Sequence, residues 1–318
     1  MVKILITGGC GFIGTNLIDF IMEKTDWHVN VLDDLSVGKL EYLKSLKYYD
    51  ETRIDFHRGD IRSEEDVKPA IIGCDYAVHL AAQTDVMKSI DDPEKDADIN
   101  IMGTINVLKM AVDEGIKAVS FSSSAAPLGD QEQPVHEGKV PQPLSPYGAS
   151  KLSCEGYCSA FAGSYNLSTS ALRFSNVYGP NSWHKGSVVA KFIKQILDGD
   201  VPVIYGDGKQ TRDFIHTEDI SNAVYLSLIN SSPGFDLYQL GTGEETGVNS
   251  LYYKIKDIME KKVDDIKVPE PAYGEERTGE IYRSYCDVSK AMNELGYEPQ
   301  VSIDDGLEET VDWFLENY

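Results

Sequence analysis

Basic residues are scarce: 29 lysines and arginines stand against 52 aspartates and glutamates, a formal charge of −23. A surface that acidic repels phosphate backbones and anionic lipid, which argues against nucleic acid or a membrane as partner. Any phosphate-bearing ligand must then be held by a few cations working against the field of the whole chain. Cysteine is sparse and odd in number (Cys10, Cys74, Cys154, Cys158, Cys286), with no Cys-x-x-Cys pair. That usage fits reduced thiols in a cytoplasmic core and not a disulfide frame. The six histidines contain no His-x-x-x-His pair, and Cys154 and Cys158 alone are weak ligand spacing, so no metal is expected. No apolar run is long enough to span a bilayer. Met1–Thr7 runs straight into glycines with no basic or long apolar leader, so a soluble cytoplasmic protein without a signal peptide is expected.

What is present is an alternation. Apolar runs of strand length lie at Lys3–Ile6, Val29–Leu32, Ile54–His57, Tyr76–Leu80 and Ala118–Ser122, with helical patterns between them. The clearest helix is Ala97–Glu114, where Ile101, Ile105, Leu108 and Val112 share a face. A sixth unit comes next, helix Tyr147–Ser164 and strand Ser168–Phe174. Strands alternating with helices predict an α/β fold with a doubly wound parallel sheet. Beyond about Pro180 shorter strands (Val203–Tyr205, Asp213–His216, Leu237–Leu240) and helices (Val188–Asp198, Ser250–Glu260, Gly306–Glu316) alternate with Gly- and Pro-containing loops. We read residues 1–175 as the first lobe and 176–318 as a smaller α/β lobe, with a soft boundary that the chain crosses more than once.

The first strand ends in a glycine turn, Gly8, Gly11 and Gly14, and a helical pattern begins at once. Small residues there let backbone N–H groups and the helix N-terminus approach a pyrophosphate. The second strand ends in Asp33, with Asp34 beside it. A carboxylate about 20 positions beyond the turn accepts hydrogen bonds from ribose hydroxyls and repels a 2′-phosphate, and no arginine stands close after it. The expected cofactor is NAD.

The segment Ser145-Pro146-Tyr147-Gly148-Ala149-Ser150-Lys151 starts a helix, with Ser145 as N-cap and Pro146 in the first turn. Tyr147 and Lys151, four apart, share a face. A nearby ammonium and an oxidised nicotinamide favour the phenolate, making Tyr147 a candidate base. Ser124, after the strand from Ala118, can hydrogen-bond the same substrate oxygen.

The ordered set GGCGFIG, HLAA, FSSSAA, YGASK, LRFSNVYGP, IYGDGKQTRDFIHTEDI and ERTGEIYRSYCDVSKA resembles the extended short-chain dehydrogenase/reductase family, and within it UDP-sugar 4-epimerases. The likeness spans essentially the whole chain. It implies a Rossmann-type NAD domain followed by a nucleotide-sugar lobe, and a triad of Tyr147, Lys151 and Ser124. It implies cofactor contacts at Gly8, Gly11, Phe12, Ile13, Gly14, Asp33, Asp34, Leu35, Ser36, Gly38, Asp60, Ile61, Leu80, Ala81, Ala82, Asn100 and Ser122, besides the triad. For the uridine diphosphate and sugar it implies Asn176, Val189, Tyr205, Arg212, Arg277 and Ser284, together with Ser124 and Tyr147. A homodimer formed through Ala97–Glu114 and Tyr147–Ser164 is implied as well.

The same scaffold hosts dehydratases and decarboxylases, so the fold alone does not choose. Dehydratases of the family carry an Asp-Glu pair after the triad Ser/Thr, and decarboxylases usually a Glu; this chain has Ala125 and Ala126. A site able only to oxidise and reduce C4 is an epimerase. Where the family has Val-Tyr-Gly next, Pro127-Leu128-Gly129 stand, which puts sugar contacts there in doubt. Seven residues beyond the second arginine the epimerases gate the sugar pocket, and a small residue there, Ser284, favours UDP-N-acetylglucosamine/UDP-N-acetylgalactosamine over plain UDP-glucose/UDP-galactose. A uronic-acid 4-epimerase using His184 or Lys185 for a C6 carboxylate, and a non-enzymatic NAD-sensing regulator, are the rival readings.

Overall fold

The computed structural model describes residues 1–183, 185–276 and 281–318. Six strands form where the apolar runs place them: β1 (Lys3–Thr7), β2 (His28–Asp33), β3 (Ile54–Arg58), β4 (Tyr76–His79), β5 (Ala118–Ser124) and β6 (Ser168–Phe174). They pair in parallel in the order β6-β5-β4-β1-β2-β3, and a seventh strand, Phe235–Leu240, adds beside β6. Helices cover both faces, which is why the strands read as unbroken apolar runs and not as alternating ones. Ile4, Ile6, Val29 and Val31 pack on one side with Leu17, Ile18 and Ile21 of the helix Phe12–Lys24. Leu5, Leu32, Val119 and Ala171 pack on the other with Val107 and Leu108. The strand order reverses between β1 and β4, and ligands bind at such a switch point, outside the carboxyl ends of the strands.

The helix expected over Ala97–Glu114 is not continuous. An α-helical turn, Pro93–Ala97, passes into a π turn at Asp98–Met102 before the helix Gly103–Asp113. The extra residue in a π turn rotates the downstream helix about its axis. Thr104, Val107, Leu108 and Ala111 therefore face the core, while Ile101, Ile105 and Val112 are half-buried and Met102 is exposed. Of the face read from the sequence, Leu108 alone is fully buried.

Past residue 175 a separate core gathers Val189, Phe192, Ile193, Leu251, Tyr252, Val311 and Phe314 from the helices Val188–Leu197, Val248–Lys262 and Ile303–Asn317. The helix Thr217–Ile229 escapes the sequence pattern because its buried side carries polar groups. Asp219 accepts from the amides of Gln300 (2.8 Å) and Val301 (3.2 Å), and Ser227 Oγ donates to Ser120 Oγ of β5 (3.0 Å). Tyr225 of that helix packs on Phe20 and Trp27, so the second half of the chain returns to cover the first sheet. All five cysteines are buried and free. Among the described residues no helix is long and apolar enough to cross a membrane.

Candidate active site

At the carboxyl end of β1 the glycine turn is built for close approach. Gly8 has φ +69°, and a Cβ there would lie 2.7 Å from the Ala81 amide nitrogen. A Cβ on Gly14 would collide with the Gly8 carbonyl and come within 2.6 Å of Gly9 Cα. A Cβ on Gly38 would strike the Cys10 carbonyl. Gly11 caps the helix Phe12–Lys24 without any side chain, which leaves the first-turn N–H groups of that helix open to an anion. Asp33 sits 8% exposed across the turn and accepts from the amides of Cys10 (2.9 Å) and Leu35 (2.8 Å). Burial pushes its carboxyl up, and those two amides pull it back down. Leu35 takes φ +63°, and Asp34 accepts from the Ser36 amide at 2.8 Å, so residues 33–38 form one tight acidic loop over the turn. This cradle fits a dinucleotide with a free ribose 2′-hydroxyl.

Others of the expected cofactor set lie just after β3 and β4 and on the π turn. Leu80 and Ala81 hydrogen-bond the carbonyl and hydroxyl of Thr7, each at 3.2 Å. Ala82 comes next, half-buried. Asp60 is paired with Arg62 (2.6 Å), which also holds Asp98 (2.6 Å). Ile61 is buried against Gly103. Asn100 is 2% exposed and sits in the π turn. Its side chain clamps both backbone groups of Gln83 (2.8 and 3.0 Å) and donates to Ser150 Oγ (3.0 Å). Asn100 thus ties the loop after β4 to the helix carrying Tyr147.

The triad residues meet at the end of β5. The helix Pro146–Tyr165 starts at Ser145, whose hydroxyl accepts from the Gly148 amide at 3.1 Å. Gly148 lets this helix ride on the next loop, since a Cβ there would lie 2.7 Å from the Ala126 carbonyl. Tyr147 and Ser124 share a hydrogen bond. Lys151, 2% exposed, donates to the Ser122 carbonyl at 2.8 Å, and its Nζ stands 6.0 Å from the centre of the Tyr147 ring. Burial pushes the Tyr147 phenol up to about 12, partly offset by the Ser124 hydrogen bond. Burial likewise brings Lys151 down to about 8. In the protein by itself, then, desolvation dominates, and the phenol is raised where the sequence reading, which counted on both an ammonium and an oxidised nicotinamide, expected it lowered. Behind the triad His79 bridges Thr7 Oγ1 (2.8 Å) and Thr104 Oγ1 (3.0 Å), and burial holds it neutral, down to about 3.

The described residues expected to meet the sugar nucleotide, besides Ser124 and Tyr147, lie past residue 175. Asn176 is exposed on a short strand, Asn176–Tyr178, beside Phe214–His216. Arg212 and Ser284 are register neighbours on paired strands, both half-buried. Tyr205, with the Lys191 ammonium 5.2 Å from its ring centre, lines a cavity of about 200 Å³ with Asp207, Gln210, Glu276 and Tyr282. Val189 is 2% exposed and packs in the second core. Arg277 and His184 lie outside the described residues. Lys185 sits 5.5 Å above the Phe12 ring at the dinucleotide turn, and burial lowers it.

A family model described as GDP-mannose 4,6 dehydratase matches residues 5–310. The putative UDP-glucose 4-epimerase of Methanocaldococcus jannaschii is 35% identical over 319 residues, 99% of either chain. Among solved structures, the UDP-N-acetylglucosamine 4-epimerase of Methanobrevibacter ruminantium, in complex with UDP-N-acetylmuramic acid, has a TM-score of 0.90 at 34% identity. The match covers 100% of this chain and 99% of that one. The UDP-glucose 4-epimerase of Thermus thermophilus, in complex with NAD, has a TM-score of 0.88 at 31% identity, covering 100% of both chains. The chain belongs to the extended short-chain dehydrogenase/reductase family. In the loop after Ser124, Ala125 caps a single 3₁₀ turn, Ala126–Leu128. Pro127 and Leu128 are buried, Leu128 at 1% exposed in the main core. The two residues that stand in place of Val-Tyr are thus packed inward.

Sequence reasoning named neither Glu155 nor Arg173, a buried ion pair directly behind the triad, because neither residue type signals burial by itself. It expected no metal and did not single out His216, Glu218 and Glu309, whose ligand atoms lie within 4.8 Å of one another. Both carboxylates are exposed, and the group lies at the N-terminus of the helix Thr217–Ile229, whose Glu218 amide the His216 ring caps at 3.4 Å. Acidic side chains there complement the helix dipole.

Proposed function

We propose that this chain is an NAD-dependent epimerase that inverts C4 of a UDP-hexose, with UDP-N-acetylglucosamine and UDP-N-acetylgalactosamine as its main pair and UDP-glucose/UDP-galactose as additional substrates. The observation that carries the reading is the meeting of Tyr147, Ser124 and Lys151 above a loop that offers two alanines. Tyr147 takes the proton of the C4 hydroxyl, and Ser124 holds the same oxygen through its hydroxyl. Lys151 lends positive charge to the phenolate from its anchor on Ser122. NAD, when bound, supplies a hydride acceptor at C4 and a positive ring that draws Tyr147 down from about 12 toward neutrality. Ala125 and Ala126 offer no group to deprotonate C5 or to protonate a C6 leaving group, which leaves the keto sugar to be reduced back to an alcohol. Tyr147 then returns its proton to the C4 oxygen.

The N-acetyl preference rests on Ser284, a small half-buried residue beside Arg212. Lys185 offers little to the uronate alternative because it lies against Phe12 at the cofactor turn. We assign the chain to the cytoplasm, in keeping with its five free thiols, and to a homodimer. The second copy packs on Ala97–Glu114 and Tyr147–Ser164, segments that leave Met102 and Tyr157 exposed. A light-scattering mass equal to one chain would remove the dimer. For the activity, purified protein is incubated with UDP-N-acetylglucosamine, UDP-glucose or UDP-glucuronate without added NAD, and the products are separated. Formation of the C4 epimer of the first is expected; turnover of UDP-glucuronate alone would contradict the reading.

A further inference from the structure

The triad ends at Lys151, yet the next turn of the same helix carries Glu155, which is 5% exposed. Three consecutive residues of β5 each engage one turn of that helix. The Ser124 hydroxyl bonds Tyr147, the Ser122 carbonyl accepts from Lys151 at 2.8 Å, and the Ser123 hydroxyl donates to Glu155 Oε1 at 2.6 Å. Positions 147, 151 and 155 succeed one another at i, i+4 spacing, so the three rungs line one helix face. Arg173, register partner of Ser123 on β6, grips the same carboxylate, Nε to Oε1 at 2.8 Å and Nη2 to Oε2 at 2.7 Å. It is 1% exposed, and its Nη1 has no hydrogen-bond partner among the described residues. Both charges are buried, and a well-packed apolar pair is commonly at least as stable as a buried ion pair. Stability alone is a weak reason for the pair.

We propose that Glu155 and Arg173 are positioning residues: they brace Ser122–Ser124 against the catalytic helix and cancel each other's charge beside the Tyr147–Lys151 pair. The inference rests on the reading of Tyr147 as the base. The other groups acting on Lys151 and Tyr147 are Asp96 from the helix Pro93–Ala97, His79 from β4, and Cys154 and Cys158 on the helix itself. Glu155 acts to raise Lys151. An unbalanced Arg173 favours the phenolate, and an unbalanced Glu155 opposes it.

The test uses the protein as purified, with its cofactor, and reads two quantities against pH. One is kcat for epimerisation. The other is tyrosinate absorbance, taken as the difference between each variant and the same variant carrying Tyr147→Phe. Glu155→Gln is expected to move the Tyr147 midpoint to lower pH by on the order of one unit, and Arg173→Met to move it to higher pH. Arg173→Lys and Ser123→Ala keep the charge balance, so they should lower kcat several-fold with the midpoint unchanged. If Arg173→Met does not fold, Glu155→Gln against Arg173→Lys carries the sign of the effect. Melting temperatures that fall while all midpoints coincide would overturn the proposal. Full activity in Tyr147→Phe would sink the base assignment instead, and the absorbance titration separates the two because it needs no turnover.

Discussion

Lys151 spends its ammonium on the Ser122 carbonyl, 2.8 Å away in a fully buried setting. A charge held there is costly. Burial lowers its pKa from 10.5 to about 8, so below pH 8 the folded state carries an ammonium it disfavours, and the cost fades as pH rises toward 10.5. Removing the charge should therefore stabilise the fold at neutral pH by up to about 3 kcal/mol, less about 1 kcal/mol for the lost hydrogen bond. Lys151→Met is expected to raise the urea midpoint at pH 7, to lose most of that gain by pH 10, and to be nearly inactive. A variant less stable than the parent at pH 7 would contradict this account of the site.

His79 makes the same demand in a lower pH range. It is neutral and buried between Thr7 and Thr104, and its pKa falls from 6.5 to about 3. The unfolded chain takes up a proton below pH 6.5 that the folded chain refuses, so stability drops by about 1.4 kcal/mol per pH unit from 6.5 down to about 3. Denaturation curves between pH 7 and 4 should show this slope in the parent and a shallower one in His79→Gln. Parallel slopes would mean other groups set the acid limit.

The glycine turn tolerates no side chain at Gly14, where a Cβ meets the Gly8 carbonyl and Gly9 Cα. Gly14→Ala should shift the helix Phe12–Lys24 away from the turn and release the dinucleotide. The absorbance of nucleotide freed from heat-denatured protein measures it; stoichiometric NAD in the variant would show that the turn is not the cradle.

Ser284 is the proposed determinant of the sugar substituent. Ser284→Tyr should cut the rate on UDP-N-acetylglucosamine at least tenfold and leave UDP-glucose within a few-fold, because an added ring removes space for an acetamido group and not for a hydroxyl. Equal losses on both substrates would move the determinant elsewhere.

Much of this site was legible in the sequence because its devices are local. A strand, three glycines and a helix within residues 3–24 form one turn, and the Ser145 cap places Tyr147 and Lys151 on one helix face. Contacts between distant segments left weaker marks. Glu155 and Arg173 meet across the helix–sheet interface, and the polar buried face of Thr217–Ile229 hides its helical period. The π turn at Asp98–Met102 was invisible for a related reason: Ile101, Ile105, Leu108 and Val112 fit a regular helix, whereas Asn100 within the turn bonds the distant Gln83 and Ser150.

The central claim is that C4 loses and regains the same hydrogen within one closed site. UDP-N-acetylglucosamine deuterated at C4 is converted in ordinary water, and the deuterium content of the UDP-N-acetylgalactosamine formed is read by mass spectrometry. Complete retention at C4 is predicted, since the hydride leaves for the bound cofactor and returns from it. Wash-out of deuterium into solvent would mean the carbon is deprotonated, and Tyr147 would then have a different task.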